Sequence, residues 1–264
     1  MTTARDLRAY GCTRLEAAGL DRREAQAQAR WLLAHAGENG RAAYSLLLDR
    51  RVSGEPLQYI IGFQSFMGYE FAVDARVLIP RLDTEMLCFY ALEMLPANSA
   101  VSVLDIGTGS GALAICIALG RPQAQVTALD ISEDALAVAR GNAERLGAQV
   151  RFVRSDYFVA VAGERFDLIV SNPPYVTREE LTALPPDVQR EPRLALDGGI
   201  DGLDAYRILA REAAAHLKPK GRLIVEVGAS QAEAVAGLFA AHIGPADVLL
   251  DMQGVRRFVR AARD

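Results

Sequence analysis

The stretch VSVLDIGTGSGALAI, Val101–Ile115, carries the reading of this chain. Val101–Ile106 has the apolar character of a buried strand, and a helix is predicted from Gly111 to Leu119. Between them stand Gly107, Gly109 and Gly111. Glycines at a strand-to-helix junction permit a tight turn and let a ligand approach the backbone, next to the partly positive helix N-terminus. The next predicted strand, Gln125–Asp130, closes on an acid that can accept hydrogen bonds from both hydroxyls of a ribose. A nucleoside-bearing ligand follows from the combination.

The spacing narrows the ligand. A dinucleotide fingerprint reads G-x-G-x-x-G, whereas this loop reads G-x-G-x-G with Asp105 two residues ahead of it. That spacing argues against a dehydrogenase. No lysine follows as in a phosphate-binding loop. An adenosyl cofactor without a pyrophosphate fits better, and S-adenosylmethionine adds positive charges that suit Asp105. Cofactor contacts are therefore expected from Asp105, Gly107, Thr108, Gly109, Ser110, Gly111 and Asp130. After the third strand, in RSDYF, Asp156 can bond an adenine amino group, and Tyr157 or Phe158 can pack on the purine.

Outward from this stretch, strands at Val101–Ile106, Gln125–Asp130, Val150–Arg154, Phe166–Ser171 and Arg222–Val227 alternate with helices at Gly111–Leu119, Glu133–Leu146, Leu203–Leu217 and Gln231–Ala241. Ser132 is an N-cap and Gly147 a stop. The alternation predicts a parallel sheet with helices on both faces. The end of the chain departs from it: Ala246–Asp251 and Val255–Ala261, separated by Met-Gln-Gly, predict an antiparallel hairpin. Residues 1–52 predict helices only. Thr2 or Thr3 can cap the first, Asp21 with Glu24 makes a capping-box-like start for the second, which stops at Gly37, and a third covers Arg41–Arg51. Phe66–Val73 predicts a β-hairpin connector, followed by a helix over Asp83–Leu95. The expected division is a helical domain at 1–52, a connector at 53–82 and an α/β domain at 83–264.

Composition sets limits. The 264 residues carry a formal net charge of −4, so the whole chain lacks the basic balance typical of nucleic-acid binders. Cys12, Cys88 and Cys116 have neither metal nor redox spacing, and reduced thiols in a cytoplasmic protein are the simplest expectation. The scattered His35, His216 and His242 suggest no metal site. The N-terminus has no signal-peptide core and no apolar run is long enough for a bilayer, so no membrane partner is expected.

A second stretch carries the chemistry. In DLIVSNPPYV, Asp167–Val176, a strand ends in Asn172-Pro173-Pro174-Tyr175. It lies at the C-terminal end of a parallel strand, where open α/β sheets bind ligands. An amide or aromatic NH₂ is a poor nucleophile because its lone pair is delocalised. An Asn side-chain oxygen can accept one N–H and a backbone carbonyl the other, which localises and aims that lone pair. Pro173 has no N–H to compete, the double proline fixes the carbonyl's direction, and Tyr175 can pack on a planar target. Positioning and electrostatics would then supply most of the catalysis.

Together, Asp-Ile-Gly-Thr-Gly-Ser-Gly and Asn-Pro-Pro-Tyr resemble the class I methyltransferases that modify planar amino groups. GEPLQYIIG, VLIPRLDTE, EPRLALDGGIDGLDAYR and LIVEVGASQ resemble the PrmC/HemK family, N5-glutamine methyltransferases acting on the Gly-Gly-Gln motif of class I peptide chain release factors. The resemblance spans about residues 52–264. It implies a Rossmann-like seven-stranded sheet with a reversed last hairpin, and an N-terminal helical domain that helps hold the release factor. It also implies that Gly107–Gly111, Asp130 and Asn172 contact S-adenosylmethionine, that Tyr157 takes the adenine-side position, and that Asn172, Pro173, Pro174 and Tyr175 grip the glutamine amide. Ile79–Glu85 and Glu226 would lie beside the same face. Leu82 stands where the family has a second proline, and the helical region is shorter than usual between Ala36 and Ser53. Asn-Pro-Pro-Tyr is shared with adenine-N6 methyltransferases, so an enzyme acting on adenine or guanine in nucleic acid is the alternative. A non-catalytic scaffold is disfavoured by Asp105, Asp130 and Asn172. The loop 176–202 is long for a connection and is expected to shape the substrate cleft.

Overall fold

The computed structural model describes residues 3–37 and 40–264; Thr2 lies outside them. The chain forms two compact units, one of Met1–Phe63 with Leu184–Arg190 and one of Gln64–Ala183 with Glu191–Asp264.

The first unit is helical. α1 (Ala4–Ala17) starts at Thr3, whose side chain and backbone exchange hydrogen bonds with Asp6 in a full capping box. α2 (Arg22–Ala36) starts at Asp21, which accepts from the Arg23 and Glu24 amides at 2.8 and 3.0 Å. The capping box expected there is not completed, because the Glu24 carboxylate accepts from Gln28 instead. α3 (Gly40–Val52) and the five-residue α4 (Leu57–Ile61) follow. Leu15, Ala29, Leu32, Tyr44, Leu48 and Ile60 form this unit's core. Arg51 is buried, donates to Gln28 at 2.6 Å and pairs with Asp187. That pair helps explain why Leu184–Arg190, distant in sequence, belongs to this unit.

The second unit opens at Gln64, the second residue of a hairpin of β1 (Phe63–Phe66) and β2 (Tyr69–Ala72). Met67 and Gly68 both have positive φ, the signature of a two-residue type I′ turn. The hairpin therefore starts three residues earlier than the pattern Phe66–Val73 suggested. α5 (Leu82–Met94) comes next, then β3 (Ser102–Ile106), α6 (Ala112–Gly120), β4 (Gln125–Asp130), α7 (Glu133–Leu146), β5 (Val150–Arg154) and β6 (Phe166–Ser171). A short α8 (Arg178–Leu181) lies in the long loop, followed by α9 (Asp204–His216), β7 (Leu217–Glu226), α10 (Ala232–His242), β8 (Ala246–Leu250) and β9 (Arg256–Ala262). β7 starts five residues before the expected Arg222. Its first residue pairs with Phe166, and the register then shifts.

The seven-stranded sheet has the order β5-β4-β3-β6-β7-β9-β8, parallel up to β7 and antiparallel at β9 and β8. The expected parallel sheet with a reversed terminal hairpin is what forms. Side chains alternate between two apolar layers. Val103, Leu168, Val170 and Ile224 face the layer that includes α5 and α6, whereas Leu104, Ile106, Ile169, Leu223 and Val225 face the layer of α9 and α10. α6 is apolar over Ala112–Ala118 because it is buried on nearly every side. The chain crosses from β5 back past β3 to β6, so the sheet's switch point falls between β3 and β6, where such folds open a ligand crevice.

Candidate active site

The strand ends that follow from this topology converge on one cavity of about 220 Å³. Gly107 and Gly109 come from the loop after β3, Asp130 from the end of β4, Asp156 and Tyr157 from the loop after β5, and Asn172, Pro173 and Pro174 from the end of β6. Pro192, Leu194 and Ala195 of the long loop complete a wall, as the loop length suggested. Glu191 is buried and accepts from the Ile79 amide at 2.9 Å and from the Arg81 guanidinium. That fastens the end of the loop to the segment leading into α5.

The glycine loop divides into a pocket side and a packing side. A Cβ added to Gly107 or Gly109 would meet no heavy atom within 4 Å, so the backbone there is bare. At Gly111 the same Cβ would lie 2.9 Å from the Ile115 side chain and 3.1 Å from Ala139 Cβ. Gly111 is thus a packing residue, required where α6 approaches α7. Thr108 and Ser110 are buried and, with Gly111, stay out of the cavity wall. Asn142, fully buried on α7, accepts from the Ala72 amide at 2.8 Å and donates to the Ala72 and Ser110 carbonyls at 3.0 and 2.9 Å. One side chain therefore joins the hairpin to the loop.

Two acids frame the loop differently. Asp130 accepts from the Gly109 amide with one oxygen and from the Ser132 amide with the other, both at 2.9 Å, and remains in the cavity wall. Burial pushes its carboxyl above the usual range, against the pull of those amides. Asp105 is behind the wall, 1% exposed. By strand alternation it shares the apolar face of Val103, which accounts for its desolvation. Burial raises its pKa to about 7, although the Thr108 hydroxyl donates to it at 2.6 Å. Its second oxygen has no hydrogen-bond partner among the described residues.

The structure separates Tyr157 from Phe158. Phe158 is buried in the α9–α10 layer and stacks on His216 at a ring distance of 4.6 Å. Tyr157 lines the cavity, with φ of 45°. The Ser155 hydroxyl donates to the Tyr157 carbonyl at 2.7 Å and accepts from the Ala160 amide, holding this left-handed residue in place.

At the end of β6 the Ser171 hydroxyl bonds the Ile106 carbonyl at 2.7 Å, which ties the two switch-point strands together. Asn172 Nδ2 donates to Thr84 Oγ1 at 2.9 Å, and Thr84 Oγ1 donates to Glu226 Oε2 at 2.7 Å. Asn172 Oδ1 and the Pro173 carbonyl accept no hydrogen bond among the described residues. They are two open acceptors on successive residues, the arrangement an NH₂ group needs. Tyr175 is placed otherwise: its ring packs against the α9–α10 core layer and is absent from the cavity wall, and its carbonyl accepts from Gln231 at 2.9 Å. Sequence reasoning put Ile79–Glu85 and Glu226 nearby through family resemblance, and missed Asn142, whose signal is only a polar residue inside an apolar helix face.

A wider groove of about 850 Å³ lies on α1 and α2 of the first unit. Among the described residues, Arg5, Arg8, Arg22, Arg23 and Arg30 line it with a single acid, Glu16. That charge disfavours this groove as the place for a sulfonium. Among the described residues no group of three His, Cys, Asp or Glu is placed to hold a metal, and no helix is long and apolar enough to cross a membrane.

Comparison with known proteins agrees with this geometry. The methyltransferase small domain family matches residues 84–185. A solved methyltransferase from Pyrococcus furiosus has a TM-score of 0.57 at 20% identity, covering 75% of this chain and 91% of that one. A Thermus thermophilus 16S rRNA N2 G1207 methyltransferase, solved with AdoMet and guanosine, has a TM-score of 0.55 at 19% identity, covering 76% of this chain and 50% of that one. At such identities the likeness is one of fold. The release factor glutamine methyltransferase of Bordetella pertussis is 45% identical over 97% of this chain and 98% of its own length. Those of Cereibacter sphaeroides and Geobacter sulfurreducens are 44% and 50% identical, covering 94% and 75% of this chain and 94% and 70% of their own lengths. By that identity over nearly the full length, the chain belongs to the release factor glutamine methyltransferase family.

Proposed function

We propose that this protein methylates the side-chain amide of a glutamine in a peptide chain release factor, taking the methyl group from S-adenosylmethionine. The finer target is the glutamine of the Gly-Gly-Gln motif in class I release factors, a cytoplasmic substrate. The observation that carries the reading is the pair of open acceptors, Asn172 Oδ1 and the Pro173 carbonyl, beside a cavity at the switch point.

The residues fit the methyl donor. Asp130 and Asp156 put two carboxylates in the wall, and the one cation among its described residues, Arg76, is already paired with Asp74. The open acceptor of Asp105 lies just behind the loop and adds favourable potential for positive charge. Asp130 would hold the ribose hydroxyls, Tyr157 would cover the purine and Asp156 its amino group. Gly107 and Gly109 would give the donor a bare backbone to lie on. When bound, S-adenosylmethionine supplies an electrophilic methyl group on a sulfonium. Asn172 Oδ1 and the Pro173 carbonyl would each accept one N–H of the glutamine amide, concentrating the lone pair on nitrogen and fixing its direction. Pro174 stiffens that carbonyl, and Tyr175 anchors the segment through its packing rather than through the cavity wall. No residue needs to act as a strong base, because the nitrogen becomes acidic once methylated and releases its proton.

The helices of the first unit would dock the release factor. The five arginines on α1 and α2 have no ion-pair partner among the described residues and suit an acidic protein surface. Incubation with methyl-labelled donor and purified release factor, followed by peptide mapping, tests the function. Label on the Gly-Gly-Gln glutamine is expected. Label in RNA or DNA and none in the factor would replace this reading with nucleic-acid methylation.

A further inference from the structure

A carboxamide is nearly symmetric in shape but opposite in chemistry at its two ends. Rotated by half a turn, Asn172 would present an NH₂ to the glutamine NH₂, donor against donor. Something must choose the orientation. We propose that Thr84 and Glu226 are positioning residues that lock the oxygen of Asn172 toward the substrate, an inference that rests on the acceptor role given to Asn172 above.

The choice follows from counting protons. A threonine hydroxyl has one proton to give, and an ionised carboxylate can only accept. Glu226 Oε2 lies 2.7 Å from Thr84 Oγ1, so the hydroxyl proton is committed to Glu226. Toward Asn172, 2.9 Å away, Thr84 can then only accept. The NH₂ end is held inward and Oδ1 is left outward. Thr84 comes from the first turn of α5 and Glu226 from the end of β7, at 5% and 1% exposure, so the lock is set by the tertiary fold and shielded from water. The charges of Asp83 and Arg257 act on Glu226 in opposite directions, and the Glu226 charge in turn raises the Tyr175 phenol. The Tyr206 hydroxyl donates to the Glu226 backbone carbonyl at 2.8 Å and leaves the carboxylate to Thr84 and to the Asn172 NH₂ group, both of which favour its charged form.

A protonated Glu226 reverses the chain. Its O–H can donate to Thr84, whose proton is then free to bond Oδ1 of an Asn172 carboxamide rotated by half a turn. The catalytic acceptor is lost without any group leaving its place. Burial brings this protonation up to about 7.

The test compares wild type with Thr84→Val, Thr84→Ser and Glu226→Gln in single-turnover methylation of release factor across pH, with donor Kd measured by calorimetry. Thr84→Val should lower kcat on the order of 10²-fold, the scale of losing one preorganised polar contact, while donor Kd and release-factor KM change by less than about threefold. Thr84→Ser should recover most of the rate. Wild-type kcat should fall on the acid side, and Thr84→Val should show a weaker limb, because only the direct contact of Glu226 with Asn172 then remains. Glu226→Gln keeps the shape but can donate, so it should lower kcat and flatten the acid limb even if Thr84→Val fails to fold. A Thr84→Val enzyme with wild-type kcat and pH profile would overturn the proposal, as would a Thr84→Ser enzyme that binds donor yet is as slow as Thr84→Val. Wild type inactive on release factor would instead refute the function on which the proposal rests.

Discussion

Gly109 and Gly111 are two residues apart with opposite duties, and alanine at each should separate them. Alanine at 111 must adopt φ of 84°, which costs an L-residue about 1–2 kcal/mol. Its methyl would also lie 2.9 Å from the end of Ile115 and 3.3 Å from the Cα of Ala139. Ile115 can turn aside, but Ala139 Cα is helix backbone, so α6 and α7 must part slightly, an overpacking cost of about 1–3 kcal/mol. The sum, about 3 kcal/mol, lowers Tm by about 6–12 °C for a unit of this size. Alanine at 109, with φ of 57° and no neighbour within 4 Å, carries only the conformational cost, about 1–2 kcal/mol. Its methyl instead projects from the cavity wall, and donor affinity should fall at least about tenfold, or about 1.4 kcal/mol. Scanning calorimetry of the unliganded proteins and titration with S-adenosylmethionine read the two quantities. A Gly109→Ala protein that is less stable than Gly111→Ala, or that binds donor like wild type, would refute the division of the loop.

Asp130→Ala should weaken donor binding by about 2 kcal/mol, roughly thirtyfold, by losing hydrogen bonds to a charged group; an unchanged Kd in titration calorimetry would contradict the ribose role. Asn172→Ala should lower kcat by at least about 10²-fold and donor affinity by less than about threefold, seen in single-turnover assays. Unfolding by urea should show the unliganded protein gaining stability as pH falls from 8 to 5. Asp105 and Glu226 have folded pKa values of about 7 against 3.8 and 4.5, so in this window the folded state binds more protons and stability falls as pH rises, by a few kcal/mol in all (about 1.4 kcal/mol for each tenfold change in proton affinity). Carboxyls with lowered pKa, such as Asp74 and Asp167, lose their contribution only at more acid pH and leave the window clear. Asp105→Asn with Glu226→Gln should flatten the slope.

The strands and helices around the cavity were legible in the sequence because each carries its own period and its own stop: β4, β5, β6 and α7 have the expected bounds. β7 begins ahead of the expected Arg222 and runs through Pro219 and Gly221, residues that ordinarily break a strand, where a register shift against β6 accommodates them. α4 went unread between Pro56 and Gly62, being too short to show a period. The strand-end residues of the site were legible for a similar reason, since a glycine loop and Asn-Pro-Pro-Tyr break their elements in a recognisable way. Which of them face the cavity was not legible. Asp105 follows the alternation of its strand into the apolar layer, and Ser110 and Gly111 are turned inward by α6, outcomes set by packing between elements. The Thr84–Glu226 contact spans 142 residues and exists only once α5 meets β7.

Asn142 makes the hairpin a gauge of the pocket. It engages Ala72 on β2 and the carbonyl of Ser110 together, so a ligand that orders the loop and one that orders the hairpin would act on each other through this side chain, each changing the other's affinity by the same factor. The Ala72 amide, far along the chain from the strand ends, should exchange its hydrogen more slowly when S-adenosylmethionine binds. A partner that pulls on β1 and β2 would, through the same side chain, loosen the enzyme's hold on its cofactor.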